Sequence, residues 1–250
     1  MKVMGEKVKA NEVEFVGKCL LIKSNGKKIL AVGDLHLGYE EFLNEAGVFV
    51  SREMFKEMIR YFENVFLKVG KVEKVILLGD VKHGFGNILR QEWNDVLNLF
   101  DYLQEKCKEI IIIKGNHDKI IEPIAKKREI KVLNYYCLSG FCFLHGDTDF
   151  PKSEIYSGKI KCWVLGHGHP AIKLSDGVKV EKYKCFLEGN YRRKKIIIVP
   201  SFIEANEGSD PRDSELGMAW DFNLENFEVK IISSDANDLR VRDFGRLGRI

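Results

Sequence analysis

The chain contains 250 residues, of which 45% are apolar and 31% are charged, and its formal net charge is +3. This composition is that of a soluble globular protein and excludes collagen, coiled-coil and largely disordered classes. The longest apolar runs, such as Val75–Leu78 and Ile110–Ile113, are far too short to span a membrane. The first ten residues mix Lys and Glu without an apolar stretch, so we expect no signal peptide and a cytoplasmic location.

The first half of the chain alternates β-type and helical patterns. An Asn-Gly pair between the runs Leu20–Lys23 and Lys28–Val32 predicts a β-hairpin, because both turn positions tolerate a positive φ. Apolar residues then recur at helical spacing between Ser51, the expected N-cap, and Gly70, and again in a stretch that ends at Cys107. This alternation predicts a parallel sheet covered by helices. The short apolar strands that follow the two helices are Val75–Leu78 and Ile110–Ile113.

The second half is dominated by β-type patterns. Asp176-Gly177 predicts a turn, and Asn223–Asn226 predicts a hairpin loop. No linker or internal repeat interrupts the chain, so we expect a single domain over residues 1–250. The last residues, Asp235–Ile250, carry four Arg and are expected to form a flexible, frayed terminus. The predicted strands are Phe141–Leu144, Cys162–Leu165, Val178–Leu187, Ile196–Val199, Leu216–Phe222 and Phe227–Ile232.

The six cysteines contain no C-x-x-C pair, and five of them lie in or beside apolar runs. This placement favours buried, reduced thiols over a disulfide framework or a thiolate metal site.

Five apolar runs end in glycine beside Asp, Asn or His. The carboxyl ends of strands in an open α/β sheet face one crevice, so these side chains are expected to converge. Glycine at each position permits a sharp exit from the strand and a close approach of the backbone. The five motifs are Gly33-Asp34-Leu35-His36, Gly79-Asp80, Gly115-Asn116-His117-Asp118, His145-Gly146-Asp147 and Gly166-His167-Gly168-His169.

Seven residues of these motifs are candidate metal ligands. Nitrogen and oxygen donors without thiolate favour Mn, Fe, Zn, Co or Ni over Ca or a thiolate cluster. Seven ligands suffice for two divalent ions if one carboxylate bridges them. Five of the six His in the chain lie in these motifs, which argues against separately satisfied polar residues. The candidates are Asp34, His36, Asp80, Asn116, His145, His167 and His169.

The order D-x-H, G-D, G-N-H-D, H-G-D, G-H-x-H is similar to that of the calcineurin-like metallophosphoesterase superfamily. The motifs span Asp34 to His169, and the later strands to about Ile232 fit the same fold. The resemblance implies an α/β fold, a four-layer αββα sandwich of two mixed sheets flanked by helices. It also implies two divalent ions, with Mn²⁺ expected first, bridged by Asp80. One ion would be held by Asp34, His36, Asp80 and His169, and the other by Asp80, Asn116, His145 and His167.

The resemblance also implies catalytic residues. Two metals about 3.5–4 Å apart can clamp both oxygens of a phosphoryl displacement, with a metal-bridging hydroxide as the nucleophile. His117 follows the ligand Asn116 and is implied to contact the phosphate or protonate the leaving oxygen. Asp118 is implied to orient His117, and it also suits the N-cap of a short helix over Lys119–Ala125. These two roles for Asp118 are compatible.

His83 lies three residues after Asp80, and G-D-x-x-H resembles the SbcD-type DNA repair nucleases, in which this His faces the substrate. The sequence around Asp34 resembles the short SbcD-related, DNA-ligase-associated phosphoesterases. This implies a phosphodiester substrate, either DNA or RNA, and DNA-repair proteins such as a ligase, helicase or ATPase as partners. The chain is too short for the capping domain and ATPase-docking segment of the full nucleases, so we do not expect processive exonuclease activity.

Several alternatives stay open. A protein Ser/Thr phosphatase is disfavoured, because that class usually has Asp-Arg in place of Lys82-His83 and Glu in place of Asp118. A phosphodiesterase for small cyclic or linear nucleotides, a general phosphomonoesterase and, more remotely, a non-catalytic metal-binding scaffold remain alternatives. The oligomeric state is also open. Four basic residues either grip a phosphate backbone or form an exposed hairpin: Lys184, Arg192, Arg193 and Lys194.

Overall fold

The computed structural model describes residues 11–85 and 89–250, which contain two β-sheets. In the first sheet the spatial order of the strands follows the chain. The predicted hairpin is present, with Asn25 and Gly26 at φ 50° and 76° in its turn, and the strands that follow it are parallel. The strands are β1 Glu12–Val16, β2 Cys19–Ser24, β3 Lys27–Val32, β4 Val72–Leu77, β5 Cys107–Ile113 and β6 Lys131–Leu133.

Four α-helices accompany the first sheet: α1 Tyr39–Glu45, α2 Met54–Val69, α3 Arg90–Lys106 and α4 Glu122–Lys126. Ser51 is not the N-cap of α2. Instead, Glu40 of α1 accepts hydrogen bonds from the backbone N–H groups of Glu53 and Met54, because its longer side chain reaches the helix start. No helix in the described part of the chain is long and apolar enough to cross a membrane.

The second sheet has eight strands in the order β14-β13-β11-β12-β9-β8-β7, with β10 paired to β11. β8, β9 and β12 run parallel, and the other pairs are antiparallel. The strands are β7 Tyr135–Leu138, β8 Phe141–Leu144, β9 Cys162–Leu165, β10 Ala171–Ser175, β11 Val180–Tyr191, β12 Lys194–Ile198, β13 Glu228–Ile232 and β14 Val241–Arg246.

Three apolar clusters hold these layers together. One lies between the two sheets and includes Ile76 and Ile111 from the first and Phe143 and Val164 from the second. Another joins the first sheet to α2 and α3, and the last covers the outer face of the second sheet. Burial of this much apolar surface is the main stabilising contribution to the fold. Four of the six cysteines are buried.

The strand predicted at Leu216–Phe222 is wrong. This segment is irregular, and Trp220 packs at 5.0 Å, between ring centroids, against Trp163 on the outer face of the second sheet. Its apolar residues are therefore spaced for packing rather than for strand pairing. The predicted hairpin loop Asn223–Asn226 contains a 3₁₀ turn, Leu224–Asn226.

The mixed α/β class with two mixed sheets is confirmed. The fourth layer differs from the expected helical one: in the described residues after α4, the cover of the second sheet consists of 3₁₀ turns and irregular chain. The expectation of a frayed terminus at Asp235–Ile250 is also wrong. β14 pairs with β13 along its length, and Leu247 is only 3% exposed, so apolar packing fixes the tail.

Candidate metal centre

The seven candidate ligands meet where β3, β4 and β5 of the first sheet and β8 and β9 of the second sheet end. They fall into two groups. In the first group, one ligand atom each from Asp34, His36 and His169 lies within 4.8 Å of the others. His169 Nε2 is 3.3 Å from Asp34 Oδ1 and 3.4 Å from His36 Nε2.

The second group contains Asp80, His145 and His167, whose ligand atoms also lie within 4.8 Å of one another. His145 Nε2 is 3.4 Å from Asp80 Oδ2, 3.2 Å from His167 Nδ1 and 3.0 Å from the side-chain oxygen of Asn116. Asp80 Oδ2 is also 3.9 Å from His36 Nε2. Asp80 therefore lies between the two groups, where a bridging carboxylate is expected.

The donor set fits a cation. His145 Nδ1 donates to the Leu78 carbonyl at 2.7 Å, so Nε2 is the ring atom that faces Asn116 Oδ1 and Asp80 Oδ2. Lone pairs that face one another at such distances repel unless a proton or a cation lies between them. A divalent ion would bind to all of these donors at once.

The electrostatics of the site favour the same conclusion. Burial opposes the ionisation of Asp34, but His169 and His145 beside it hold the pKa of that carboxyl below its usual range. Burial lowers the pKa of His36 to about 3, so its ring is neutral. Burial also lowers the pKa of His145, but Asp80 and then Asp34 raise it to about 10. The two carboxylates thus attract positive charge into the site.

Four of the ten non-glycine residues with a left-handed backbone in the described part of the chain are candidate ligands. His36, Asp80, His167 and His169 have φ values of 45°, 48°, 62° and 42°, in the left-handed region that non-glycine residues seldom adopt. The glycines permit close approach, as expected. A Cβ on Gly115 would lie 2.3 Å from Asp80 Oδ1, and one on Gly79 would lie 2.5 Å from His145 Nδ1.

His117 and His83 lie at the mouth of the centre. The His117 backbone N–H donates to Asp80 Oδ1 at 2.9 Å, and its ring Nδ1 donates to the His83 carbonyl at 2.5 Å. The His83 ring contacts His36, with their Nδ1 atoms 3.5 Å apart. Both residues line a cavity of about 550 Å³, together with Tyr39 and others. His83 and His117 lie outside the two groups, but with His36 they form a third set whose ligand atoms are within 4.8 Å of one another.

Asp118 has a different place from the expected one. It is fully buried and accepts hydrogen bonds from the backbone N–H groups of Val81 and Gly115, at 3.0 and 3.1 Å, so it ties the two ligand-bearing loops together. The partner of the His117 ring is the His83 carbonyl rather than Asp118, and α4 begins only at Glu122. Both expected roles, orienting His117 and capping the helix, are therefore wrong.

The structure also separates the basic group. Arg192 and Arg193 form the exposed β11–β12 turn, but Lys184 and Lys194 point inward and donate to backbone carbonyls. The four residues therefore do not form one phosphate-binding surface.

Sequence reasoning missed the residues that support the ligands. The side-chain amide of Asn206 lies 2.7 Å from His169 Nδ1. Glu92 Oε1 accepts from the backbone N–H groups of His83 and Gly84. Neither residue belongs to a strand-end motif, so no local pattern could have identified them.

Comparisons with known proteins agree with this geometry. The family model described as "Calcineurin-like phosphoesterase" matches residues 27–234. The crystal structure of Pseudomonas putida nuclease MPE has a TM-score of 0.61 and 16% identity, covering 94% of this chain and 100% of that one. A Vps29 single mutant from Entamoeba histolytica has a TM-score of 0.39 and 13% identity, covering 87% and 99%.

No curated protein matched the chain. The family match covers well over half of the sequence and includes every candidate ligand. The chain therefore belongs to the calcineurin-like phosphoesterase family of metal-dependent hydrolases.

Proposed function

We propose that the protein hydrolyses phosphodiester bonds of nucleic acids or nucleotides at a centre of two divalent cations. The observation that supports this most directly is the pair of donor groups separated by Asp80, whose Oδ2 is 3.4 Å from His145 Nε2 and 3.9 Å from His36 Nε2. We further propose Mn²⁺ as the working metal, membership of the SbcD-related subgroup, a cytoplasmic location and DNA-repair partners, all from the motif resemblance.

The side chains around the centre have distinct roles in the proposed reaction. Two cations, when bound, would neutralise charge on the phosphoryl group and supply an ionised water as the nucleophile. Because the Nδ1–H of His117 is donated to the His83 carbonyl, His117 can give a proton from Nε2 to the leaving oxygen when the ring is the imidazolium. His83 itself faces the cavity and contacts the substrate.

The rim of the cavity suits a nucleotide. The Phe85 ring lies 3.7 Å, between centroids, from the His117 ring, and Tyr39 lies 4.8 Å from His83. Aromatic rings offer stacking surfaces to any base. Lys182 also lines the cavity, where it pairs with Glu207 at 3.4 Å, so a phosphate would have to compete with that carboxylate for the ammonium.

The test is a substrate panel. With Mn²⁺, we expect hydrolysis of bis-p-nitrophenyl phosphate and of at least one of single-stranded DNA, duplex DNA, RNA or cyclic nucleotides, and loss of activity with a chelator. His117→Ala should keep its metal and lose turnover by about 10²–10⁴-fold.

Activity on p-nitrophenyl phosphate alone would favour the phosphomonoesterase alternative, and cleavage of only the cyclic nucleotides would favour the small-nucleotide enzyme. Inactivity with Mn²⁺, Ni²⁺, Co²⁺ and Zn²⁺ would contradict the proposal. Loss of metal from His117→Ala would show that His117 is a ligand instead.

A further inference from the structure

The segment of residues 201–209 follows β12 and runs along the metal centre. The backbone N–H of Phe202 donates to the Asp34 carbonyl at 2.9 Å, and that of Ser209 donates to the His169 carbonyl at 2.8 Å. The backbone of the 201–209 segment therefore contacts the two ends of the first donor group, Asp34 and His169.

Asn206 extends this contact to the His169 ring. Its Nδ2 donates to Nδ1 at 2.7 Å, while its Oδ1 accepts from the Gly208 N–H at 2.9 Å. When an imidazole binds a cation through Nε2, its Nδ1 carries the hydrogen and needs an acceptor that fixes the ring. Asn206 meets that need once its amide makes a half-turn, which brings Oδ1 instead of Nδ2 to His169 Nδ1 and gives up the bond from the Gly208 N–H.

Lys184 of β11 holds the segment in place. Its ammonium donates to the Ser201 carbonyl at 3.1 Å, the Ser201 hydroxyl at 2.6 Å and the Asn206 carbonyl at 2.6 Å. Among the described residues no carboxylate forms an ion pair with Lys184 within 4.0 Å, so this half-buried lysine is held by the segment itself. Burial lowers the pKa of Lys184 to about 7.

A second ammonium, that of the buried Lys18, supports the same segment. Lys18 is 3% exposed, donates to the Phe202 carbonyl at 2.8 Å and pairs with Glu204 at 2.5 Å. Burying a lysine is costly unless its donors are satisfied, so two such lysines on one short segment indicate that its position matters.

We propose that Asn206 and Lys184 are positioning residues for His169: Asn206 fixes the ring, Lys184 fixes Asn206, and together they set the cation affinity of the Asp34–His36–His169 group. This inference rests on the proposed two-cation centre. The group around His145 is held by the Leu78 carbonyl instead and should not depend on either residue.

The experiment is a calorimetric titration of the metal-free protein with Mn²⁺. Wild-type protein should show two binding steps. Asn206→Ala should weaken one step by about 10–100-fold and leave the other unchanged, whereas Asn206→Asp, which keeps an acceptor, should stay within about 3-fold of wild type. Lys184→Met should resemble Asn206→Ala.

Lys194→Met is the matched control. Lys194 is buried and also donates to two carbonyls, of Ser157 and Ile160 at 2.8 and 2.9 Å, but at the opposite end of the sheet from the metal centre. The Lys194→Met variant should leave both Mn²⁺ binding steps unchanged. If Lys184→Met does not fold, as judged by circular dichroism, the Asn206 variants decide the test.

The outcomes separate the two proposals. A wild-type titration with fewer than two steps contradicts the two-cation centre itself. Two wild-type steps with Asn206→Ala unchanged, or with both steps weakened equally, overturn the positioning role. If Lys184→Met and Lys194→Met change the Mn²⁺ binding steps equally, the positioning role of Lys184 is overturned.

Discussion

The two sheets contribute different chemistry to the metal centre. The first sheet delivers both carboxylates, from Asp34 and Asp80, and the Asn116 amide, together with one imidazole. The second sheet delivers three imidazoles and no oxygen donor. Each donor group draws on both sheets, since His169 joins Asp34 and His36, and His145 joins Asp80. A bound cation would therefore connect the sheets across their shared apolar interface.

The sheets also differ in their support. Amphipathic α2 and α3 cover the first sheet, while irregular chain covers the second. In the first sheet, Asp118 accepts hydrogen bonds from two of the ligand-bearing loops. In the second sheet, His169 is contacted by Asn206 of the 201–209 segment. In both sheets, polar side chains support the ligand-bearing loops, whatever layer lies behind the strand.

The largest loss of activity is expected on changing Asp80, the one carboxylate that lies between the two donor groups. Asp80→Asn should abolish the shared donor between the groups and lower turnover on bis-p-nitrophenyl phosphate by at least about 10³-fold, or about 4 kcal/mol. Metal analysis should show loss of both ions. Asp147→Asn, in a neighbouring motif but outside both donor groups, is the control and should retain activity. Near-normal turnover of Asp80→Asn would show that the two donor groups act independently.

A smaller effect tests whether cations connect the sheets. At about 100 times its dissociation constant, Mn²⁺ should stabilise the fold by about 2.7 kcal/mol for each site, and chelation should reverse this. Thermal unfolding followed by circular dichroism would measure the change as a rise in Tm of about 5–10 °C for each occupied site. Asp80→Asn should show little of this rise. A wild-type Tm that is insensitive to Mn²⁺ would contradict the connection.

The smallest effect compares two histidines of the second sheet in metal-free protein. His145→Ala removes the donor to the buried Leu78 carbonyl and should cost about 1–3 kcal/mol in the free energy of unfolding. His169→Ala, with a side chain 15% exposed against 1% for His145, should cost less, about 0.5–1.5 kcal/mol. Urea denaturation with a chelator measures both. Equal losses would show that the two positions are equally integrated into the fold.

Sequence patterns predicted the parts of the molecule that depend on neighbours in the chain. The hairpin at Asn25-Gly26 and the five strand-end motifs are local, and strand polarity brings those motifs to one edge. The supporting residues are not local: Asn206 reaches His169 across 37 positions, and Lys18 reaches Phe202 across 184. The segment 216–222 was predicted to be a strand but is irregular. Its spacing of apolar residues fits a strand as well as it fits irregular chain that packs over a sheet.

The left-handed backbone at His36, Asp80, His167 and His169 has an evolutionary consequence. Each such residue costs about 1–3 kcal/mol that the remainder of the fold must offset. Substitution by Asn or Gly, which relax that conformation, would raise thermal stability while removing a ligand. Selection for stability alone would therefore act against these residues, which is the conflict between stability and activity expected at a functional centre.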